Sequence, residues 1–203
     1  MRYLFAHFGA VMTHLAEHLA LTFTSLGIAL AIAVPLGIFV ARSRRGGSIA
    51  LGILGVIYTI PSLALLALLI PLEGLGFWTA VTALAAYAQM ILVRNIAAGL
   101  GAVDPAQIEA ARGLGLSATQ RFLRVELPQA LPIVLGGLRL ATVTLISLAT
   151  IAAWIDAGGL GTLLFIGITT DDPQKIVAGS VTASALAIIA DLMFRRVERL
   201  VRV

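Results

Sequence analysis

The chain has 203 residues, of which 60% are hydrophobic and only 12% are charged, and its mean hydropathy is +1.03. Soluble domains carry about 25% charged residues, so this composition excludes an ordinary soluble protein and indicates one polytopic membrane domain over residues 1–203. The absence of cysteine excludes disulfides and thiolate metal sites. The net charge of +4 does not indicate a nucleic-acid partner, because the arginines cluster between apolar segments.

Apolar segments set the order of the chain. Residues 1–18 repeat large apolar side chains every three or four positions, which predicts an interfacial amphipathic helix. A hydrocarbon core of about 30 Å is crossed by about 20 helical residues, and five later segments reach that length. The predicted spans cover residues 19–40, 48–70, 75–93, 131–155 and 176–194. The apolar segment 159–170 is too short to cross, so a re-entrant or interfacial helix is predicted there.

Proline and glycine indicate where the spans bend and end. Pro35 lies in the last third of the first span and predicts a kink or a break. Gly46 and Gly47 are expected to form the turn into the second span. Pro61 falls at mid-depth in the second span, where the freed backbone carbonyl must face protein or a wet cavity. The segment 71–76, which begins with a proline, is expected to be a short turn.

The longest polar stretch occupies residues 104–132, between the third and fourth spans. Asp104 and Gln107 have the spacing of a capping box, and so do Ser117 and Gln120. Two short, well-capped helices are therefore predicted in water between the spans. A surface that is both polar and preorganised favours docking to another protein over a plain connecting loop.

The basic residues predict the orientation of the chain. When the arginine-rich connection at 42–45 is placed inside, the polar stretch and the C-terminus also fall inside. Of the 14 Lys and Arg residues, only Arg2 and Lys175 then lie outside. The positive-inside rule therefore predicts an external N-terminus and a cytoplasmic C-terminus.

The sequence contains no motif for hydrolysis or phosphate binding. It has neither a Gly-rich loop ending in Gly-Lys-Ser or Gly-Lys-Thr nor His-Glu-x-x-His, so we expect no catalytic residue and no bound cofactor. His14 and His18 have the spacing of metal ligands on a helix, but no third ligand is near. Exposed interfacial histidines are therefore expected in place of a metal site.

Polar and aromatic side chains at the middle and outer depth of the spans are candidates for a translocation path. Singly, each is more typical of packing. Together, beside the break at Pro61, they favour the lining of a translocation path, which a quaternary amine could pass by weak cation–π contact with the rings. The candidates are Tyr58, Thr59, Ser62, Tyr87, Gln89, Thr150 and Trp154.

Two charged residues near span ends allow alternative interpretations. Asp156 either caps the short helix that follows, which we favour, or lines the outer mouth of a path for a cationic solute. Arg139 is the deepest cation, and we expect it to reach the inner surface or to pair with Asp191.

A motif lies within the polar stretch, between residues 109 and 128. Its parts are Glu109-Ala110-Ala111, Gly115 and Val125-x-Leu127-Pro128. The motif resembles the EAA loop of ABC importer permeases, apart from a valine where isoleucine is usual. The resemblance implies a coupling helix, within residues 104–128, that seats in a groove of a cytoplasmic ATPase subunit. The residues it assigns to ATPase coupling are Glu109, Ala110, Ala111, Arg112, Gly115, Leu127 and Pro128.

Further stretches resemble the osmoprotectant branch of that family, whose substrates are glycine betaine, carnitine and choline. They are TIPSLALLALLIP, GFW, VRN, GL-x-x-VDP and AGGLGTLLFIGI. The resemblance implies an all-α membrane protein with five transmembrane helices and a fold like that of the methionine importer. Two departures leave the choice of solute open: Met90-Ile91-Leu92 replaces a proline, and Asp156 replaces a glycine.

The resemblance implies the permease subunit of an osmoprotectant ABC importer in a bacterial or archaeal cell membrane. The implied partners are a dimer of ATPase subunits that holds ATP and Mg²⁺, an extracytoplasmic binding protein at outer loops including 158–170, and a second permease chain. Alternatives are a permease for another small solute such as an amino acid, a secondary transporter, and a structural assembly factor. A secondary transporter predicts an inverted repeat and acids at mid-membrane, neither of which is evident in the sequence.

Overall fold

The computed structural model describes residues 2–201, except for the side chains of Arg2 and Phe5, and every regular element in that range is helical. The predicted all-α class is confirmed. In chain order the helices are α1 (Arg2–Ala6), α2 (Phe8–Arg42), α3 (Arg44–Thr59), α4 (Ser62–Glu73), α5 (Phe77–Gly101), α6 (Pro105–Gly113), α7 (Ala118–Arg121), α8 (Leu127–Ala152), α9 (Gly161–Thr169) and α10 (Pro173–Val201). A π-helical turn at Phe122–Glu126 joins α7 to α8, and a 3-10 turn at Ala153–Ile155 follows α8.

Four unbroken helical runs are long and apolar enough to cross a membrane, and one bent pair of helices passes the same test. The four runs are Phe8–Arg42, Phe77–Gly101, Ala118–Ile155 and Pro173–Val201. The bent pair is α3 and α4, which meet at an angle of 96° around Ile60 and Pro61.

The directions of α2 and α5 show that the bent pair is one broken crossing. The Gln89 side-chain amide donates a hydrogen bond to the Ala29 carbonyl, and further along both helices a Cβ on Gly37 would lie 2.6 Å from Ile96. The two helices therefore run in the same direction. Because α3 follows α2 directly and α5 follows α4, the chain must return through the membrane between them. The predicted five crossings are thus present.

The two ends of the bundle can be distinguished by the residues that meet there. Near one end His18 of α2 meets the backbone of Ile146 on α8, and near the other Arg42 meets Glu126, so α2 and α8 are antiparallel. We call the end that contains Arg42 the arginine-rich end, because the ion pairs of Arg139 also lie toward it. The end that contains the loop at 156–160 is called the opposite end.

Helix α5 forms the centre of the bundle, because two thirds (67%) of the residues in its most apolar stretch are buried. Small residues allow close approach: a Cβ on Gly137 would lie 2.3 Å from Asn95 Cβ, and one on Gly99 would lie 2.9 Å from the Ala130 carbonyl. Between helices in lipid the hydrophobic effect gives little driving force, so such close packing holds α5 against α8.

The first membrane helix begins earlier than predicted. A backbone break at His7 separates α1 from α2, which then continues for 35 residues. The separate helix expected over residues 1–18 is therefore wrong, since residues 8–18 continue the helix of the first crossing; their location at the membrane interface stays a prediction. At 1.5 Å per residue α2 is about 50 Å long, so it extends beyond a hydrocarbon core of about 30 Å.

Of the prolines in the first two crossings, one ends a helix. Pro61 breaks the second crossing, as predicted. Pro35 lies within α2, which stays helical through it, so no break occurs there. Pro71 lies inside α4 and not in the turn predicted over 71–76, which begins only at Gly74 with a φ of 82°.

The turn between α2 and α3 consists of Ser43, whose Oγ accepts a hydrogen bond from the Gly46 amide at 3.2 Å. The predicted turn at Gly46 and Gly47 is wrong, because both glycines lie in the first turn of α3. Gly47 is required there by close contact: a Cβ would lie 2.6 Å from the carbonyl oxygen of Val40.

The short apolar helix predicted after the fourth span is α9, which packs against α10 at Gly179. Asp172 begins α10, and its Oδ1 accepts hydrogen bonds from the amides of Gln174 and Lys175 at 3.0 and 3.4 Å. Desolvation acts to raise the pKa of Asp172. The two amides and the Lys175 ammonium, 3.4 Å away, outweigh it and hold the pKa below its ordinary value.

Candidate coupling segment and translocation path

The coupling segment, residues 104–128, lies at the arginine-rich end between α5 and α8. Asp104 caps α6 as predicted, since its Oδ1 accepts a hydrogen bond from the Ala106 amide at 2.9 Å. The predicted capping box with Gln107 does not form, because the Gln107 side chain contacts that of Gln129. This contact ties α6 to the first turn of α8.

The chain reverses at Gly115, which has a φ of 78°. The Leu116 amide donates to the Ala111 carbonyl at 3.1 Å, which closes the end of α6. A Cβ on Gly115 would meet no atom within 4 Å. The left-handed backbone, and not a lack of space, therefore favours glycine at this position.

Ser117 and Gln120 form the predicted capping box. Ser117 Oγ accepts from the Gln120 amide at 3.3 Å, and Gln120 Oε1 accepts from the Ser117 amide at 2.9 Å. The second helix is not short and separate, however, because α7 continues through the π-helical turn into α8 without a break from Ala118 to Ile155. The fourth crossing thus projects from the membrane and forms half of the coupling segment.

The outer surface of α6 combines charged and apolar groups. Glu109 and Arg112 form an ion pair of 2.8 Å with side chains 67% and 58% exposed, so the pair adds little to stability and is accessible. Ala110 is exposed, whereas Ala111 is buried against the protein. Leu114 is 81% exposed, although it is not among the residues predicted to take part in ATPase coupling. The only sequence feature that marks Leu114 as exposed is its position between Gly113 and Gly115.

The start of α8 completes the segment. Leu127 is half-buried and Pro128 is exposed. Nearby, Arg42 at the end of α2 lies 3.5 Å from Glu126 and places its guanidinium 5.6 Å from the centre of the Phe122 ring. The first and fourth crossings are therefore joined through polar contacts beside the coupling segment.

Two tyrosines of the predicted path meet at the break in the second crossing. The rings of Tyr58 and Tyr87 lie 6.0 Å apart in an edge-to-face arrangement. The buried Tyr87 hydroxyl donates to the Ile60 carbonyl, a group that the break at Pro61 leaves without a helical partner. Tyr87 thus stabilises the broken backbone.

The space beside these tyrosines is small. Ser62 and Tyr87 line a cleft of about 10 Å³, which is near the lower limit for one water molecule. The Thr59 hydroxyl is turned to its own helix and donates to the Val56 carbonyl at 2.7 Å. In this conformation the cluster at the break has no room for a solute.

Gln89 lies apart from the other path candidates. It is 6% exposed and donates to the Ala29 carbonyl at 3.1 Å, so it faces α2. Tyr87 is two residues away, about 200° around the helix, and faces α4. The structure therefore brings Tyr58, Ser62 and Tyr87 together but separates Gln89 from them.

The path candidates on the last part of the fourth crossing lie near the opposite end of the bundle, away from the coupling segment. Trp154 is 56% exposed in the 3-10 turn, and the Thr150 hydroxyl donates to the Ser147 carbonyl at 2.7 Å. Asp156 ends this turn in a left-handed conformation with a φ of 59°. The prediction that Asp156 caps the following helix is wrong, because α9 begins after Leu160 without a side-chain cap. Asp156 is exposed, and its place at an outer mouth stays a prediction.

The histidines differ from the expected exposed pair. His18 is fully buried, with Nε2 3.0 Å from the Ile146 carbonyl oxygen, while His14 Nδ1 lies 3.0 Å from Glu17 Oε2. Within residues 2–201 no three His, Asp or Glu side chains are grouped as metal ligands. His18 instead links α2 to α8.

Arg139 pairs with Asp191 as predicted, at 3.3 Å, and also with Glu198 at 3.0 Å. Asp191 in turn pairs with Arg195 at 2.7 Å. The four side chains form a charged cluster between α8 and α10 near the arginine-rich end. The role of Glu198 could not be predicted from the sequence, because its spacing of two helical turns from Asp191 becomes informative only when α8 lies beside α10.

Comparison with known proteins assigns the family. Residues 33–203 match the family described as binding-protein-dependent transport system inner membrane component. The chain belongs to this family. As a permease of this family, it is a multi-pass component of the inner membrane and a transport subunit, not an enzyme.

Individual relatives cover nearly the whole permease. It is 35% identical to the glycine betaine/carnitine/choline transport system permease protein OpuCB of Bacillus subtilis, over 98% of this chain and 92% of that protein. It is 38% identical to the osmoprotectant import permease protein OsmW of Salmonella typhimurium, over 98% of this chain and 94% of that protein.

The fold is also found in solved structures. The permease matches a chain of the MetNI methionine ABC transporter in an inward-facing conformation with a TM-score of 0.85 and 24% identity. The match covers 95% of this chain and 96% of that one. The predicted methionine-importer-like fold is confirmed.

Proposed function

We propose that this permease imports quaternary-amine osmoprotectants such as glycine betaine, carnitine or choline. Relatives at 35% and 38% identity whose names carry these solutes or the osmoprotectant class, matched along nearly the whole chain, support the proposal. The observation that carries the transport mechanism is the coupling segment: a capped, exposed helix joined to a crossing that extends unbroken out of the membrane.

The arginine-rich end faces the cytoplasm in this proposal. A separate ATPase subunit holds ATP and Mg²⁺ and docks on the exposed side of α6, where Glu109, Arg112 and Leu114 are accessible. Because α7 and α8 are one continuous helix, a displacement of the segment moves the fourth crossing as a lever. Ala111 and the Gln107–Gln129 contact hold α6 against that lever.

The remaining partners act at the opposite end and beside the chain. An extracytoplasmic binding protein delivers solute to the segment between α8 and α10, which includes residues 158–170. A second permease chain completes the conduit, and each ATPase cycle switches the pair between inward-open and outward-open states.

The coupling proposal is tested with two matched glycine variants in the reconstituted importer. Gly115→Ala forces a side chain into a left-handed backbone, which costs about 1–3 kcal/mol. Gly113→Ala adds the same methyl group to a helical position with open space and serves as control. We expect Gly115→Ala to lower uptake and binding-protein-stimulated ATP hydrolysis severalfold, while Gly113→Ala leaves both unchanged.

Charge reversal tests the docking surface directly. Glu109→Lys removes an exposed ion pair of little structural value, so insertion should be normal while ATPase association falls. Normal coupled uptake by both Glu109→Lys and Gly115→Ala would overturn the coupling role.

The solute is tested by competition. Uptake of labelled choline or glycine betaine should be suppressed by unlabelled quaternary amines and unaffected by amino acids. Suppression by amino acids alone would favour the alternative of an amino acid permease.

A further inference from the structure

The surface between α8 and α10 contains a depression of about 260 Å³ lined by hydroxyl groups. Ser147 and Thr150 contribute from α8, and Ser180 and Ser184 from α10. Four apolar side chains complete its lining: Ile146, Leu164, Ala183 and Ala187. Its volume contrasts with the cleft of about 10 Å³ at the tyrosine cluster, where sequence analysis expected the path.

These hydroxyls lie on the same pair of helix faces as the charged cluster. On α10, Ser180, Ser184 and Asp191 are separated by four and seven residues and share one face of the helix. On α8, Thr150 and Arg139 are eleven residues apart, which again places them on one face. Because Arg139 pairs with Asp191 at 3.3 Å, the two faces meet. The hydroxyl depression and the charged cluster therefore lie along the same pair of helix faces, separated by apolar side chains such as Val143 and Ile188.

Exposed hydroxyl groups are unfavourable against lipid. Polar side chains within membrane crossings face a bundle interior or a water-filled cavity, yet Ser147, Ser180 and Ser184 are exposed on this chain. Something other than hydrocarbon must therefore cover them. The groove between α2 and α10 shows the difference, because its lining, which includes Phe23, Ile189 and Met193, is almost entirely apolar.

We propose that the hydroxyl depression between α8 and α10 is a solute subsite of the translocation path. The inference rests on the proposed function, because it takes a quaternary amine as the solute. The hydroxyls of Ser147, Ser180 and Ser184 donate to the carboxylate of glycine betaine or carnitine, or bond to the hydroxyl of choline, whereas the Thr150 hydroxyl already donates to the Ser147 carbonyl. The trimethylammonium group has no N–H to satisfy and packs against Ala183 and Ala187.

The charged cluster offers the solute carboxylate no unmatched cation. Arg139 lies between two carboxylates, Asp191 at 3.3 Å and Glu198 at 3.0 Å, so its charge is already matched. Neutral hydroxyls are then the only strong contacts for the solute oxygens in the depression. A conduit needs contacts of this strength, because it must release what it admits.

The chain contains no cysteine, so a single introduced thiol reports on one position. We compare Ser184→Cys with Ile189→Cys, which lies on the same helix about 7.5 Å nearer the arginine-rich end and is 55% exposed in the apolar groove. The importer is reconstituted with its ATPase and binding protein and treated with a trimethylammonium-bearing thiosulfonate. Because lipid excludes a charged reagent, Ser184→Cys should react about tenfold faster than Ile189→Cys. Choline or glycine betaine should slow the reaction.

Three results overturn the subsite. Equal rates at the two positions would mean that lipid covers the depression. Oxidative cross-linking of two Ser184→Cys chains without reaction with the reagent would mean that a second copy covers it. Fast reaction that neither solute slows would mean water without a subsite.

A second measurement separates the two proposals. Ser184→Phe should raise the KM for uptake severalfold, and Ile189→Phe should leave it unchanged, while both variants insert and hydrolyse ATP. If the unsubstituted importer takes up no quaternary amine, the proposed function itself fails. If it does so but Ser184→Phe transports normally, only the subsite fails.

Discussion

Glu17 Oε2 accepts a hydrogen bond from the backbone amide of Gly159 at 2.9 Å, across 142 residues of sequence. The same oxygen lies 3.0 Å from His14 Nδ1. Gly158 and Gly159 have φ values of 80° and 86°, and a Cβ on Gly159 would lie 3.0 Å from Nδ1 of the adjacent His18. One turn of α2 therefore fixes the loop that leads from α8 to α9.

Removal of the Glu17 carboxylate should loosen this loop. Glu17→Ala removes one charge-assisted hydrogen bond, which contributes about 1 kcal/mol here because the side chain is 42% exposed. Amide hydrogen exchange at Gly159 should then rise about fivefold. Glu17→Gln keeps an acceptor oxygen and should remain close to the unsubstituted protein. Unchanged exchange in Glu17→Ala would show that the glycines alone hold the loop.

Substitution of Gly161 should destabilise the contact between α8 and α9. A Cβ there would lie 1.9 Å from the backbone carbonyl oxygen of Thr150, which cannot move without distorting α8. We expect Gly161→Ala to cost about 3 kcal/mol, measured as a lower Tm in detergent. Gly55→Ala on α3 meets no atom within 4 Å and should be neutral or stabilising. Equal Tm values for the two variants would contradict this packing.

Local sequence signals predicted the features that depend on few neighbours. Five apolar segments, the break at Pro61 and the caps at Asp104 and Ser117 follow from composition and spacing, and the structure has all of them. Boundaries were harder to predict. Residues 8–18 look interfacial in isolation but continue the helix of the first crossing, and Gly46 looks like a turn but lies within α3.

The features that depend on partners could not be predicted in the same way. A crossing that is apolar on every side has no amphipathic pattern to show which face meets protein, so the burial of His18 and Gln89 became visible only with α8 and α2 in place. The same holds for the hydroxyl depression, because Ser147 and Ser184 are distant in sequence. The conformation of Asp156 could not be predicted either, because its left-handed backbone is set by the 3-10 turn that follows α8.

Replacing Arg139 by a neutral residue should destabilise the protein, because the Glu198 carboxylate is then left without its cation. The Glu198 side chain is 10% exposed, so removal of its cation leaves a largely buried charge without compensation. We expect Arg139→Gln to cost about 2 kcal/mol, less than for a fully buried pair because the Arg139 side chain is 31% exposed. The measurement is the Tm of the purified permease.

A double-variant cycle separates this loss from ordinary packing. Glu198→Gln removes the charge that Arg139 compensates, so the double variant should be no less stable than Arg139→Gln alone. If the two losses simply add, the side chains act independently, and the ion pair at 3.0 Å contributes nothing.

The capping box at Ser117 should matter for coupling more than for insertion. Ser117→Ala removes the acceptor for the Gln120 amide at a cost of about 1 kcal/mol, confined to the exposed first turn of α7. Ser117→Asp supplies another capping oxygen and serves as the matched control. Because α7 is the outer end of a continuous helix, fraying there should weaken the transfer of motion to α8. We therefore expect lower uptake per ATP hydrolysed in Ser117→Ala, with normal membrane insertion and with recovery in Ser117→Asp. An unchanged ratio in Ser117→Ala would mean that α6 alone transmits the motion.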